Sequence, residues 1–299
     1  MKLHCEVLDT ILDLEIPPKR IVSLSSGFTE ALFELGASDS VVGVSEYCYR
    51  YCDCAHLPRA GWYLNGDFEV LDRLKPDLVL MTSGVQLRFA RLLARQGLPV
   101  YVLPLPTSLG GILENIVRLG GLVGRLPEAR NLANTMMSEL LDIRSRWSGT
   151  NPRIYAETWF GVHARRIGGL SYIQDLLWYA GADPIYGQEA WSYLPLDLEG
   201  TTKAKPEVFV GFYEPEHPMD FPFESERRGW KTDFGPGVIT SDTKKGRNII
   251  HDGPSLVQTA RWLQAELVEV LRKTPGLGSV VEGLGPVDPI IDSLFKNMG

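Results

Sequence analysis

Two kinds of apolar pattern follow each other along this chain. Short apolar runs bounded by turn residues, such as residues 78–81 and 208–212, predict buried strands. Segments whose apolar residues recur at three- and four-residue spacing predict helices. The predicted strands are residues 7–16, 20–25, 41–45, 77–81, 100–103, 153–158 and 208–212, and the predicted helices are residues 28–35, 68–74, 86–96, 108–123, 126–147, 171–179, 197–204 and 255–271. Strands that alternate with helices predict mostly parallel sheets covered on both faces.

A short sequence repeat indicates two similar halves. Asp-Phe-Glu at 67–69 is followed after five residues by Lys-Pro-Asp at 75–77, and Asp-Leu-Glu at 197–199 is followed after five residues by Lys-Pro-Glu at 205–207. The long helix predicted at 126–147 lies almost midway between the copies. We therefore predict an α/β protein of two three-layer lobes with mostly parallel central sheets, joined by a single long backbone helix. The expected boundaries are 1–125, 126–148 and 149–299.

Composition and charge exclude several classes of protein. The chain has 299 residues, with 30 basic and 37 acidic side chains and a formal charge of −7. Basic clusters typical of nucleic-acid binding do not occur. No apolar run reaches the roughly 18 residues that a membrane-spanning helix needs. Acidic residues interrupt the first segment, so it lacks the apolar core of a signal peptide, and the chain as written is expected in the cytoplasm.

A cysteine cluster is the one candidate metal site. Cys48, Cys52 and Cys54 lie close together in the sequence, with His56 nearby, and thiolate and imidazole groups are zinc ligands. The spacing is not that of a standard zinc knuckle, so free cysteines in a loop are the alternative. Sequence motifs of phosphate binding, nucleophilic catalysis and zinc proteolysis do not occur, which favours a protein that is not an enzyme.

Aromatic residues supply the candidate ligand site. They are concentrated in segments predicted as loops at strand ends, and ligands of α/β sheets bind beyond the carboxyl ends of the strands. Large flat side chains favour a large, flat, partly apolar ligand. The candidates are Tyr47, Trp62, Tyr63, Trp159, Trp191 and Tyr193.

Several motifs resemble a known family. Ile-Val-Ser-Leu-Ser at 21–25, Val-Gly-Val-Ser at 42–45, the Asp-Phe-Glu triplet at 67–69 and Leu-Lys-Pro-Asp-Leu-Val at 74–79 are similar to the substrate-binding proteins of ABC importers for vitamin B12 and iron chelates. The resemblance is strong over residues 18–124 and weaker from there to Ser255. It implies two α/β lobes joined by one helix, binding without catalysis, and no required cofactor.

The resemblance also implies roles for individual residues. Tyr47 and Trp62 match first-lobe positions that contact the corrin ring, and Trp191 matches a second-lobe tryptophan. Glu69 and Glu199 match the glutamates, one in each lobe, that dock onto arginines of the permease. The implied partners are a small metal chelate and an ABC importer permease, with no nucleic acid, and we expect a monomer. The family is normally periplasmic or at the cell surface.

Three hypotheses about the function remain open. The leading one is capture of a corrinoid such as cobalamin in a cleft between the lobes. A second is an iron-siderophore or haem binding protein, in which Arg165 and Arg166 contact a siderophore or Tyr47 or His163 ligates haem iron. A third is a cytosolic metal-binding enzyme that uses the cysteine cluster.

Overall fold

The computed structural model describes residues 1–62, 64–230, 237–273 and 281. The chain divides into two compact units, each with its own sheet. Unit 1 contains residues 1–137 together with 251–255. Unit 2 contains residues 138–250 and the described residues from 256 onward.

Unit 1 is built on a parallel sheet. Its elements are β1 (Lys2–Cys5), β2 (Thr10–Asp13), β3 (Ile21–Ser23), α1 (Ser26–Glu34), β4 (Val41–Ser45), β5 (Arg59–Gly61), α2 (Phe68–Leu74), β6 (Leu78–Thr82), α3 (Leu87–Arg95), β7 (Val100–Leu103) and α4 (Leu109–Leu122). The five parallel strands have the order β5-β4-β3-β6-β7. Every residue of β3, β6 and β7 is buried, which explains why these strands have continuous apolar runs.

The start of the chain differs from the prediction. A single strand was expected over residues 7–16, but β1 and β2 form an antiparallel hairpin in which Lys2 pairs with Asp13 and Cys5 with Thr10. Residues between them, including Asp9 with a φ of 52°, form the turn. The loose alternation of this segment reflects two short strands with one polar face each.

Unit 2 has a mixed sheet. Its elements are β8 (Arg153–Phe160), β9 (His163–Ile167), α6 (Tyr172–Tyr179), β10 (Asp183–Pro184), β11 (Tyr193–Leu194), α7 (Leu198–Ala204), β12 (Val208–Tyr213), α8 (Phe221–Arg227), β13 (Gly237–Ser241) and α9 (Leu256–Lys273). The strand order is β11-β9-β8-β12-β13, and β10 also pairs with β8. Strands β8, β12 and β13 are parallel, whereas β9 is antiparallel to both β8 and β11.

The segment between β12 and β13 contains the helix α8. Asp220 accepts a hydrogen bond from the Phe223 N–H at 3.0 Å and so caps α8, while Phe221 is fully buried. The proline at position 222 lies in the first turn, where its missing N–H costs nothing. Residues 231–236 lie outside the described part of the chain.

The sequence repeat corresponds to a repeated capped helix. Asp67 accepts from the Val70 N–H at 3.0 Å, and Asp197 accepts from the Gly200 N–H at 2.8 Å, so each aspartate caps a seven-residue helix. Each of these helices ends at a lysine in the left-handed conformation, Lys75 and Lys205.

The acid after each Lys-Pro pair holds the neighbouring strand. Asp77 accepts from the main-chain N–H groups of Lys19 and Arg20, at 2.7 and 2.9 Å, just before β3. Glu207 accepts from the N–H of Arg153 at 2.7 Å, at the start of β8. These bonds satisfy strand-end donors that would otherwise need water. The repeat is therefore a structural device that joins a capped helix to the sheet in both units.

The long predicted helix is present as α5 (Leu126–Ser145) and ends two residues before the predicted Trp147. The division between the units falls inside α5, after Met137. Trp147 packs on Gly181 so closely that a Cβ there would lie 2.2 Å from its ring. The separate connecting segment at 126–148 stays a prediction. Over residues 1–62, 64–230 and 237–273, no helix is both long and apolar enough to cross a bilayer.

A distant segment completes unit 1. The carboxylate of Glu30 in α1 is buried, and its Oε2 lies 2.8 Å from Nε2 of His251. The same oxygen accepts from the N–H and hydroxyl of Ser255, at 3.1 and 3.0 Å. The His251 ring stacks on Tyr51 with centroids 3.6 Å apart. Residues 251–255 are thus held in unit 1 by one buried carboxylate.

We expect Glu30→Gln to lower the free energy of unfolding by about 1–3 kcal/mol, because a buried charged acceptor with several donors is lost. Urea denaturation measures the loss, and hydrogen exchange at Ser255 should become faster. Glu34→Gln, on the exposed side of the same helix, is the matched control and should change stability by less than about 0.5 kcal/mol. Equal stability of both variants would contradict the role given to Glu30.

Candidate ligand-binding site

Two predicted aromatic residues lie at one edge of the unit 1 sheet. Tyr47 follows β4 and Trp62 follows β5, and these strands are parallel neighbours, so both residues stand at the carboxyl edge. The Trp62 side chain is 50% exposed although its main chain is held by the Asn65 carbonyl at 2.9 Å. An exposed aromatic face on a fixed backbone is suited to a flat ligand. Tyr63 lies outside the described residues.

Tyr47 is held by a neighbouring cation. It precedes a short 3-10 turn at Cys48–Arg50, and the Arg50 guanidinium lies 4.6 Å from the centre of the Tyr47 ring. A guanidinium over an aromatic face is attracted to it. The ring is only half-buried, so it combines a fixed position with access to solvent.

The carboxyl end of β8 carries the aromatic residues of unit 2. Trp159 and Phe160 are the last two residues of this strand, not loop residues as predicted. The apolar alternation of β8 continues through them, which lengthens the strand. The Tyr193 ring packs edge-on against Phe160 with centroids 6.0 Å apart. His163 is exposed and pairs with Phe160 at the start of β9.

Trp191 lies elsewhere in unit 2. It precedes β11 and accepts a hydrogen bond from the Leu170 N–H at 3.0 Å, beyond the end of β9 that is remote from Trp159. A Cβ on Gly168 would lie 2.2 Å from the Trp191 carbonyl oxygen, so glycine is required for this close approach. The Trp191 side chain is 67% exposed. The structure does not bring it together with Trp159.

A buried carboxylate organises the face of β8 that Trp159 shares. Glu157 is fully buried and accepts from the Trp159 indole N–H at 2.6 Å and from the Tyr155 hydroxyl at 2.7 Å. Arg228 donates to both of its oxygens, at 2.8 and 3.1 Å. Arg228 also donates to Glu224 at 2.7 Å. All partners of this buried charge are therefore donors.

The electrostatics of this network agree with its geometry. Burial raises the pKa of Tyr155 well above its ordinary value, and the adjacent Glu157 carboxylate raises it further, so the phenol remains a donor. Burial lowers the pKa of Arg228, but the hydrogen bonds that it donates to Glu157 and Glu224 outweigh burial and raise its pKa overall. Sequence reasoning missed both charged residues. A lone acid inside the apolar run of β8 was the signal for Glu157, whereas Arg228 has no local signal.

The arginines suggested for siderophore binding differ in availability. The Arg166 guanidinium forms an ion pair with Glu189 at 2.8 Å, donates to the Pro195 carbonyl at 3.0 Å and lies 4.0 Å from the Tyr186 ring centre. It is therefore engaged within unit 2. Arg165 donates to the Ala164 carbonyl at 2.8 Å and is half-buried.

The predicted docking glutamates occupy equivalent positions. Glu69 lies in the first turn of α2 and Glu199 in the first turn of α7, where a helix dipole favours an acid. Both side chains are exposed. Glu199 pairs with Lys203 one turn later at 2.5 Å, and such exposed pairs contribute little to stability. Each carboxylate is thus accessible in its own unit.

The cysteine cluster does not have the geometry of a metal site. The Cys48 thiol lies 3.1 Å from the hydroxyls of both Thr29 and Ser45, and Cys52 donates to the Cys48 carbonyl at 3.5 Å. Burial raises the pKa of Cys48 and of Cys52, and the adjacent Cys54 raises that of Cys52 further. Protonated thiols are poor metal ligands. Within the part of the chain that the structure describes, no three His, Cys, Asp or Glu residues are grouped to hold a metal.

The site of the zinc prediction therefore contains free thiols, while His56 is exposed beside them.

A sequence model of the family "Periplasmic binding protein" matches residues 21–214. The chain belongs to the periplasmic binding protein family. Proteins of this family bind substrates and are not enzymes, as the absence of catalytic motifs predicted. Its relatives give no support to the expected cytoplasmic location.

Relatives extend this likeness in sequence and in fold. A cobalamin-binding protein of Halobacterium salinarum is 27% identical over 215 residues, which cover 68% of this chain and 56% of that protein. The periplasmic vitamin B12 binding protein of Vibrio cholerae has a TM-score of 0.66 and 20% identity, covering 87% of this chain and all of that one. A periplasmic heme binding protein from Pseudomonas aeruginosa has a TM-score of 0.70 and 18% identity, covering 86% and 94%.

These comparisons confirm the fold class and the family resemblance. At such identities the solved structures show a common fold and not a common ligand. The match also spans little more than half of the Halobacterium protein. Ligand and partner therefore have to be argued from the residues of this periplasmic binding protein itself.

We expect Cys52 to react with iodoacetamide much more slowly than free glutathione at pH 8. Only the thiolate reacts, and burial beside Cys54 raises the Cys52 pKa. The rate should keep rising with pH beyond about 8.5, the ordinary thiol value. A plateau near that value, or stoichiometric zinc in protein purified under reducing conditions, would restore the zinc interpretation.

Proposed function

We propose that this periplasmic binding protein captures a corrinoid of the cobalamin type without catalysing a reaction. The observation that carries the proposal is the half-exposed Trp62 beside Tyr47 at the carboxyl edge of a parallel sheet. Ligands of α/β sheets bind at such edges. A large ring system with apolar faces suits an aromatic surface of this kind.

Unit 2 supports the same ligand class with its own aromatic edge. Trp159 and Phe160 stand at the carboxyl end of β8, and the Tyr193 ring reaches Phe160 from β11. Trp191 stays a predicted contact, and Tyr193 is favoured as the stronger contributor because its ring contacts Phe160. The metal chelate is the bound ligand, and the residues of this chain bind it through a complementary shape and apolar contacts.

The names of two relatives agree with this proposal. The Halobacterium protein is named for cobalamin and the Vibrio structure for vitamin B12. An importer of such a chelate needs a binding protein outside the membrane, so we place this chain in the periplasm or at the cell surface. We further propose that it acts as a monomer that delivers its ligand to an ABC importer permease through Glu69 and Glu199.

Haem is the second candidate ligand. Tyr47 is half-buried near the carboxyl edge of the unit 1 sheet, and tyrosine is one of the side chains that hold haem iron in proteins. The Pseudomonas structure is named for heme. Siderophore binding through Arg166 is less favoured, because that side chain is already engaged with Glu189 and Tyr186.

We expect Trp62→Ala to weaken cobalamin binding by roughly ten- to a hundredfold, because burying an aromatic face contributes about 1.5–3 kcal/mol. Quenching of intrinsic fluorescence during titration with cyanocobalamin measures the affinity. Trp178→Ala is the matched control, since Trp178 is similarly exposed, at 45% against 50%, but lies on α6 and packs on Arg144. Its affinity should equal that of wild type.

A titration with haem in parallel separates the two candidates. Haem binding that is lost in Tyr47→Phe, with no cobalamin binding in wild type, would replace the corrinoid proposal with the haem one. Equal cobalamin affinity in wild type and Trp62→Ala would remove Trp62 from the site.

We expect Glu69→Gln and Glu199→Gln each to weaken docking by about tenfold or more, because a charge on the permease loses its partner. Co-sedimentation with a vitamin B12 importer permease in proteoliposomes measures docking. Cobalamin affinity should not change in either variant. Glu114→Gln, an exposed glutamate on α4, is the control. Unchanged docking in both glutamate variants would refute the docking role.

A further inference from the structure

The fully buried carboxylate of Glu157 is the strongest unexplained feature near the proposed site. Of its partners, Trp159 alone stands at the carboxyl end of β8, where unit 2 presents aromatic residues. We propose that Glu157 is a positioning residue that fixes the Trp159 ring for ligand contact, and that Arg228 holds the Glu157 carboxyl group in place for this purpose. The inference rests on the proposed function, because it assigns the role of a residue in that ligand site.

The geometry gives Glu157 this role. Residues 155, 157 and 159 share one face of β8, since side chains alternate along a strand. The Trp159 indole N–H donates to Glu157 Oε1 at 2.6 Å, while the Tyr155 hydroxyl donates to Oε2 at 2.7 Å. A short hydrogen bond to a charged acceptor is about twice as strong as a neutral one. The indole therefore has one preferred orientation about its side-chain torsions.

Arg228 offsets the cost of burying the Glu157 carboxyl group. A buried carboxylate is costly unless it is paired, and the Arg228 side chain, at 4% exposure, donates to both oxygens of Glu157. The guanidinium is itself held by Glu224 at 2.7 Å and lies 4.9 Å from the Trp230 ring centre. The two hydrogen bonds from Arg228 thus hold the carboxyl group facing Trp159.

A fixed ring changes the affinity for a flat ligand. Ordering a free side chain at a binding interface costs about 0.5–1.5 kcal/mol, so a ring fixed before binding gains roughly three- to tenfold in affinity. A purely apolar residue in place of Glu157 could pack equally well, but it would not orient the indole. The network therefore sets the orientation of the indole, in addition to the packing of the Trp159 ring against the core around Tyr155 and Trp230.

Two matched variants test the proposal by cobalamin titration. Trp159→Phe keeps an aromatic ring but loses the N–H, and we expect cobalamin affinity to fall by roughly three- to tenfold. Tyr155→Phe removes a donor from the same carboxylate at a fully buried position, and its affinity should equal that of wild type. Equal losses in both variants would indicate a merely structural network and overturn the proposal.

A double-mutant cycle shows whether Glu157 acts through Trp159. Glu157→Gln should weaken cobalamin binding in the wild-type background, but it should add little once Trp159 is phenylalanine, because the tether is then already absent. Additive losses would mean that Glu157 affects the ligand by another route and would overturn the proposal.

Indole hydrogen exchange gives a readout that needs no ligand and no Glu157 variant. In protein labelled with ¹⁵N-tryptophan, the resonance missing from Trp159→Phe identifies Trp159, and its N–H should exchange much more slowly than that of the half-exposed Trp62. Exchange as fast as that of Trp62 would overturn the tether. If wild type fails to bind cobalamin, the proposed function fails, while the exchange result still decides whether Glu157 positions Trp159.

Discussion

Parallel pairing of buried strands is the constraint on which both units depend. A parallel neighbour can be reached only through a crossover, and here most crossovers are helices that cover the sheet. Covered strands must be apolar along their whole length, as β6 and β12 are. Their helices then begin near the carboxyl edge, so the residues that follow each strand gather there. Tyr47 and Trp62 stand together because β4 and β5 are such neighbours.

The same constraint explains why each unit has one copy of the sequence repeat. A crossover helix must start with satisfied N–H groups and return the chain to the amino end of the next strand. Asp67 and Asp197 meet the first need as caps. Asp77 and Glu207 meet the second by holding the strand beside the returning chain. Exposed acids at the helix starts are then compatible with folding, which leaves Glu69 and Glu199 open to serve a partner.

The sequence predicts the parts of the fold that depend on local pattern. Continuous apolar runs identified β6, β7 and β12, and helical spacing identified α5 and α9. Strand β9 was missed because most of its residues are polar and half-exposed, with Arg165 and Arg166 among them. Helix α8 was missed because a proline in its first turn resembles a breaker. Contacts between Glu30 and His251, 221 residues apart, have no local pattern at all.

In the candidate site, too, features with a local sequence pattern could be predicted and long-range contacts could not. Aromatic residues that follow strands could be placed at an edge from sequence, because strand direction alone decides it. The contacts that orient these aromatic residues could not be predicted from sequence, because Arg228, directly after α8, is 71 residues from Glu157 along the chain. A buried ion pair stabilises a fold little better than apolar packing would. The Arg228–Glu157 pair beside Trp159 instead fixes the geometry of the indole. A binding protein has no reaction to accelerate, and preorganisation of its contact residues is the means by which its fold can raise affinity.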